Sequence, residues 1–151
     1  MNWRSAVVYV VFGAIVLLLL GRWLNLPVAV MIVDGHSMEP TLRPGDVVVA
    51  VRCCPSCASP GDIVVWCTPF GSCTVHRLVR IEGGRLVTWG DNRATNPSPD
   101  PPVPVDWLRY CVVGRIPREA VLAAVLAAVA LYGLRRSRRY GGGGPYRRLY
   151  Y

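Results

Sequence analysis

Two apolar runs divide this chain, and they bound what it can fold into. From Ser5 to Gly21 there are 17 residues without a charge, between Arg4 and Arg22. A second uncharged run covers Ala120 to Leu134, and Arg135, Arg136, Arg138 and Arg139 follow at once. Coiled as a helix, the first run rises about 25 Å, close to the roughly 30 Å of a bilayer core. Trp3 and Trp23 flank it as interfacial aromatics do. A cleaved secretory leader is the competing reading. Against it, the run is long for a leader, and Asn25-Leu26-Pro27 leads into more apolar sequence rather than a small-residue cleavage site. The second run is short for a span, so a buried or interfacial helix competes there. Ala120, Ala124 and Ala128 form a small-residue face suited to close packing in lipid, and Arg118 can snorkel outward. The expectation is a membrane anchor over residues 1–25, a folded domain over 26–118, a second transmembrane helix over 119–135 and a basic tail over 136–151.

Charge orients that expectation. The chain carries 17 basic and 9 acidic residues, a net +8, and every basic residue is arginine. The charge is +2 through Asn25, zero from Asp34 to Glu119 and +6 from Arg135 onward. Positive segments stay on the cytoplasmic side, so a multi-pass protein of the cell membrane is expected, with both termini cytoplasmic and the neutral middle outside. The tail's arginines adjoin an apolar helix, which favours anionic lipid headgroups over nucleic acid as their partner. The tail ends Gly-Gly-Gly-Gly-Pro-Tyr-Arg-Arg-Leu-Tyr-Tyr, a flexible composition. The absence of lysine excludes Schiff-base, lysine-base and P-loop lysine chemistry.

The middle is mainly β. Short Val- and Ile-rich runs recur between turn signals: Leu26–Val33, Asp46–Val51, Asp62–Cys67, Thr74–Ile81, Arg85–Trp89 and Tyr110–Ile116. Pro-Gly-Asp precedes a Val/Ile-rich run twice, at Pro44 and Pro60, and each reads as a tight turn feeding a strand. Glu82-Gly83-Gly84-Arg85 reads as a hairpin turn. Pro97, Pro99, Pro101, Pro102 and Pro104 predict a stiff extended loop that no central strand can absorb.

Six cysteines lie in the middle segment: Cys53, Cys54, Cys57, Cys67, Cys73 and Cys111. An even count outside the membrane suggests disulfides. Cys67 and Cys73 flank Thr-Pro-Phe-Gly-Ser and can pair across the base of that loop. Cys111 can pair with one of the 53/54/57 cluster. The alternatives are free thiols, or a tetrahedral zinc site built from Cys54, Cys57, Cys67 and Cys73.

Ser37, in Asp34-Gly35-His36-Ser37-Met38-Glu39-Pro40-Thr41-Leu42, is the candidate nucleophile. A serine needs a neighbouring base, and without lysine that base is His, Asp or Glu. His36 and His76 are the two histidines. His36 adjoins the serine, where strand neighbours point to opposite faces, while His76 stands inside a predicted strand that can aim it. A lone serine and a lone strand histidine are usually structural, so composition alone does not pair them.

An ordered set of motifs does. Ser37-Met38-Glu39-Pro40-Thr41-Leu42, the Gly-Asp turns before Val-rich strands, Val75-His76-Arg77 and Gly90-Asp91-Asn92 occur in sequence. Together, over roughly Val28 to Ile116, they resemble type I signal peptidases of the branch found in archaea and the endoplasmic reticulum. The resemblance implies a small β catalytic domain on a membrane anchor. It implies a serine endopeptidase that removes N-terminal signal peptides from exported preproteins, preferring small residues before the cut. It needs no metal or cofactor, and contact with secretion machinery is a further expected partnership. Ser37 matches the nucleophile and His76 the general base. Asp100, in Pro99-Asp100-Pro101, matches the acid that orients the imidazole, with Asp91 the alternative for that role; Asp91 also reads as a turn residue capping its own backbone. The chain departs from the family in three places. Gly35 stands where relatives place an oxyanion-binding serine, His36 replaces a small residue, and Trp89 occupies a position often held by lysine. The competing function is a non-catalytic, membrane-anchored, Cys-rich scaffold module.

Overall fold

The computed structural model describes residues 3–21, 24 and 26–140, without the side chains of Arg4, Leu18, Leu19 and residues 137–140. The expectations placed on Arg22, Trp23, Asn25, the Arg138 and Arg139 side chains and the tail beyond Tyr140 lie outside the described residues. Two units are present, residues 1–118 and residues 119–151.

The first unit begins with helix α1 (Trp3–Leu20) and continues as β1 (Val28–Ile32), β2 (Val47–Arg52), β3 (Ile63–Cys67), β4 (Cys73–Glu82), β5 (Arg85–Trp89), β6 (Val103–Pro104) and β7 (Leu108–Ile116). Helix α2 (Arg118–Tyr140) makes up nearly all of the described second unit. All seven strands join one curled antiparallel sheet in the order β1-β2-β7-β3-β4-β5-β6. The mainly β expectation holds, and each of the six predicted strands forms within two residues of its expected ends.

The turn chemistry explains the strand starts. Arg43-Pro44-Gly45-Asp46 and Ser59-Pro60-Gly61-Asp62 close with backbone hydrogen bonds from the aspartate N–H to the first carbonyl, at 3.0 Å each. The glycines sit at φ +89° and +100°, where a Cβ would clash with the backbone. Each aspartate carboxylate also accepts the first residue's N–H, at 2.9 and 2.8 Å. Gly83 and Gly84 both have positive φ, so Glu82 and Arg85 face each other across a two-residue hairpin.

Register shifts in β2–β7, β3–β7 and β4–β5 mark bulges, which bend a sheet and increase its twist. The sheet buries side chains on both faces. Ala29, Ala50, Val65, Cys67 and Tyr110 pack on one, continued by Val33, Met38, Leu42 and Val48. Cys53, Val64, Leu78, Leu86 and Leu108 pack on the other. The Tyr110 hydroxyl reaches the Gly21 and Leu26 carbonyls at 3.3 Å, tying the exit of α1 to the sheet. The proline-rich stretch does stay out of the sheet interior. Its end supplies the two-residue edge strand β6, which sequence reasoning leaves as loop.

Cys53–Cys111, Cys54–Cys57 and Cys67–Cys73 are disulfides, and no cysteine is free. The bridge across the β3–β4 loop and the partnership of Cys111 with the 53/54/57 cluster agree with expectation. The zinc alternative does not survive, because Cys54, Cys57, Cys67 and Cys73 spend their sulfurs on disulfides rather than thiolate ligands.

The multi-pass membrane placement is overturned. Among the described residues, no helix is long and apolar enough to cross a membrane. Helix α1 has 18 residues, a rise of roughly 27 Å, and opens on Trp-Arg-Ser. In α2 only the stretch from Ala120 to Leu134 is free of charge, between Glu119 and Arg135, a rise of roughly 22 Å. The expected cytoplasmic termini and extracytoplasmic site fall with that placement.

Candidate active site

Strand β4 organises the site. It pairs with β3 from Cys73 to Arg77, but with β5 only from Arg77 onward. Among the described residues, Cys73 to His76 therefore have a strand neighbour on one side only. Continuing the β4–β5 register one step past Arg77 and Trp89 sets Gly90 beside His76.

The segment carrying Ser37 closes over this place. The Ser37 carbonyl accepts hydrogen bonds from the Asn92 N–H at 2.9 Å and from Asn96 Nδ2 at 3.2 Å. Asn92 Nδ2 holds the His36 carbonyl at 2.9 Å. A Cβ on Gly90 would come within 2.5 Å of the Ser37 carbonyl oxygen and of Asn96 Nδ2, so only glycine admits this approach. The loop after β5 thus fixes the main chain of the candidate nucleophile. Ser37 and Met38 also line a cavity of about 430 Å³, whose other walls include Met31, Ile32, Val65 and Val75.

His76 is buried, at 6% exposure, and its Nδ1 lies 2.5 Å from Asp100 Oδ2. The same oxygen accepts the Thr88 hydroxyl at 2.6 Å. Thr88 Oγ1 lies 3.1 Å from the indole Nε1 of Trp66, which stacks on Trp107 with ring centroids 6.2 Å apart. The donor inventory sets the direction of this chain. An indole N–H can only donate, so Thr88 accepts from Trp66 and spends its one proton on Asp100. Burial raises the Asp100 pKa, but hydrogen bonds from His76 and Thr88, with the nearby imidazole, hold it below the ordinary carboxylate value. An ionised Asp100 makes Nδ1 the donor and leaves Nε2 as the imidazole's free basic nitrogen.

Asp91 serves a different partner. Both of its oxygens take the Arg77 guanidinium, at 2.8 and 2.6 Å, and Oδ2 also accepts the Thr41 hydroxyl at 2.6 Å. The Arg77 hydrogen bond chiefly lowers its pKa, against burial, and Thr41 adds to the lowering. Asp91 therefore ties the Ser37 segment, through Thr41, to β4. Of the two aspartates weighed for the histidine, Asp100 is the one that reaches it.

His36 stands apart. Its side chain is 68% exposed and its Nδ1 lies 3.2 Å from Glu39. A Cβ on Gly35 would meet nothing within 4 Å, so the space beside this residue is open. Among the described residues the Ser37 hydroxyl makes no hydrogen bond to His76.

Sequence reasoning did not single out Thr88, Trp66, Asn92 or Asn96 as site residues. Thr88 carries a legible signal: it is a polar residue in a strand pattern at a position that proves 1% exposed. Neither a known protein-family model nor any curated protein matches this sequence. Among the described residues, no group of histidine, cysteine and carboxylate side chains could hold a metal ion.

Proposed function

We propose that this chain is a serine endopeptidase that removes N-terminal signal peptides from exported preproteins. The hydrogen bond of His76 to a Thr88-anchored Asp100 carries the reading. Nε2 of His76 takes the Ser37 proton as the hydroxyl attacks the scissile carbonyl. The imidazolium, stabilised by Asp100, then protonates the leaving amine, and water releases the acyl group. The Ser37 backbone N–H is the oxyanion donor this reading uses. An extended substrate suits the unpaired edge of β4 from Cys73 to His76, by strand addition, with its side chains toward the cavity. The preference for small residues before the cut rests on the family resemblance. No membrane span forms part of this reading.

The test is cleavage of a radiolabelled preprotein by the purified full chain and its variants. Ser37→Ala and His76→Ala abolish processing, whereas His36→Ala retains most of it. Equal processing by wild type and Ser37→Ala removes the enzyme reading and leaves the non-catalytic scaffold. Loss in His36→Ala with retention in His76→Ala reverses the assignment of the base.

A further inference from the structure

The three disulfides differ in what they hold. Cys53–Cys111 joins the end of β2 to β7 across 58 residues of sequence, and Cys53 is 9% exposed. Cys67–Cys73 closes the β3–β4 hairpin at a cross-strand pair, with Cys67 also 9% exposed. Cys54–Cys57 closes only Cys54-Pro55-Ser56-Cys57, a sequence separation of three, and both its cysteines are exposed. It joins no two elements. The loop already has its own turn hydrogen bond, from the Cys57 N–H to the Cys54 carbonyl at 2.9 Å. Its anchor to the sheet is the neighbouring Cys53, held by its own disulfide and by an N–H bond to the Arg109 carbonyl at 3.1 Å.

A bridge that closes so short a loop constrains the unfolded chain least, and exposed bridges are the labile ones. Ser56 adds a chemical feature. Its Oγ lies 3.2 Å from Cys54 Sγ, and since a disulfide sulfur has no proton to give, the hydroxyl is the donor. That hydroxyl is placed to receive the negative charge that develops on Cys54 when the bond opens.

We propose that Cys54–Cys57 is a thiol–disulfide exchange site whose substrate is a dithiol. This goes beyond the peptidase reading and does not depend on it. A thiolate of the dithiol attacks Cys57 Sγ. The Cys54–Cys57 bond breaks, and its electron pair leaves on Cys54 Sγ beside the Ser56 hydroxyl. The dithiol's second thiolate then attacks its own sulfur in the mixed disulfide and releases Cys57. Two electrons and two protons pass to the protein, and the dithiol becomes a disulfide.

Differential alkylation tests this on the native full chain. Limited dithiothreitol is added, thiols are trapped with iodoacetamide, and peptides are read by mass spectrometry. Cys54 and Cys57 are labelled at least about tenfold faster than the other four cysteines. Comparable labelling of Cys53 and Cys111, or of Cys67 and Cys73, overturns the proposal, as does a Cys54–Cys57 bond that opens only on unfolding. Ser56→Ala slows opening of this bond several-fold and leaves the other two unchanged; an unchanged rate removes the assigned leaving group. Glutathione disulfide recloses the reduced pair. The Cys54→Ser, Cys57→Ser double variant keeps the wild-type thermal midpoint within about 3 °C. A much larger fall makes the bridge a structural staple and overturns the proposal.

Discussion

His76 and Arg77 are neighbours on β4, and each holds an aspartate, but on opposite faces of the sheet. His76 shares its face with Val64, its partner on β3, and with Thr88 of β5, the partner of Leu78. Arg77 lies opposite Ile63 and Trp89 on the other face. On the first face Asp100 meets one nitrogen of an imidazole and one hydroxyl, and among the described residues Nε2 makes no hydrogen bond. On the second, Asp91 is taken up by a bidentate guanidinium and the Thr41 hydroxyl. The first arrangement keeps a basic nitrogen available, and the second spends its donors on fastening two segments. Two aspartates nine positions apart thus take different partners because adjacent residues of β4 face opposite sides of the sheet.

The largest effect separates them directly. Asp100→Asn should lower the rate of preprotein cleavage by about 10⁴-fold, since the amide favours the wrong imidazole tautomer, while the fold persists. Asp91→Asn should keep far more activity and lose stability instead. If both variants lose activity equally, the division of labour fails. Thr88 sharpens the same comparison. Thr88→Val keeps the shape but leaves Asp100 short of a donor and the Trp66 N–H without an acceptor, a loss of about 1–3 kcal/mol. Thr88→Ser should restore activity and, in nitrogen NMR, the Nδ1-protonated signature of His76; a Thr88→Val spectrum like wild type removes the positioning role.

Next in size is the fastening pair itself. Breaking Asp91–Arg77 by Asp91→Asn should cost about 1 kcal/mol in urea unfolding, a modest figure because the Arg77 side chain is 36% exposed and screened. The pH dependence follows the same groups. Asp91 and Asp100 have folded pKa values below their ordinary ones, and so does Asp46. For Asp46 burial raises the pKa, but the Arg43 and Arg118 N–H groups, then the charges of Arg115 and Arg118, outweigh it. A depressed carboxylate stabilises the fold fully above the unfolded value of about 3.9, and that stability is lost as pH falls through the folded value. Urea midpoints should therefore stay level from pH 7 to about 5 and fall below about 4. Asp91→Asn should flatten part of that slope, and an unchanged slope would remove Asp91 from the account.

The smallest effect concerns Gly35. Because a Cβ there meets open space, Gly35→Ser should change stability by no more than about 0.5 kcal/mol and raise cleavage modestly. A large loss of stability would show that the space is not free.

Much of the fold is legible in local sequence. The two Pro-Gly-Asp turns, the Gly83-Gly84 hairpin and the alternating valines place β2 to β5 because each rests on contacts within a few residues. The insertion of β7 between β2 and β3 is not legible, since that pairing is set by side chains far apart in the chain. Apolar count misleads at the helices, because a run without charge is shorter than a bilayer requires.

The candidate site divides along the same line. Residue chemistry alone excluded a lysine base and left two histidines to choose among, while the resemblance to signal peptidases singled out Asp91 and Asp100. Tertiary structure distinguishes the two histidines by environment, burying His76 against Asp100 and leaving His36 exposed beside Glu39. It also joined Thr88 to Asp100 and, through Thr88, Trp66, a partnership between β5 and β3 across the β4 strand that both flank. The physical reason is reach. Turn preference and strand alternation act over two to four residues, while a hydrogen bond from residue 76 to residue 100 exists only once the intervening β5 has folded back.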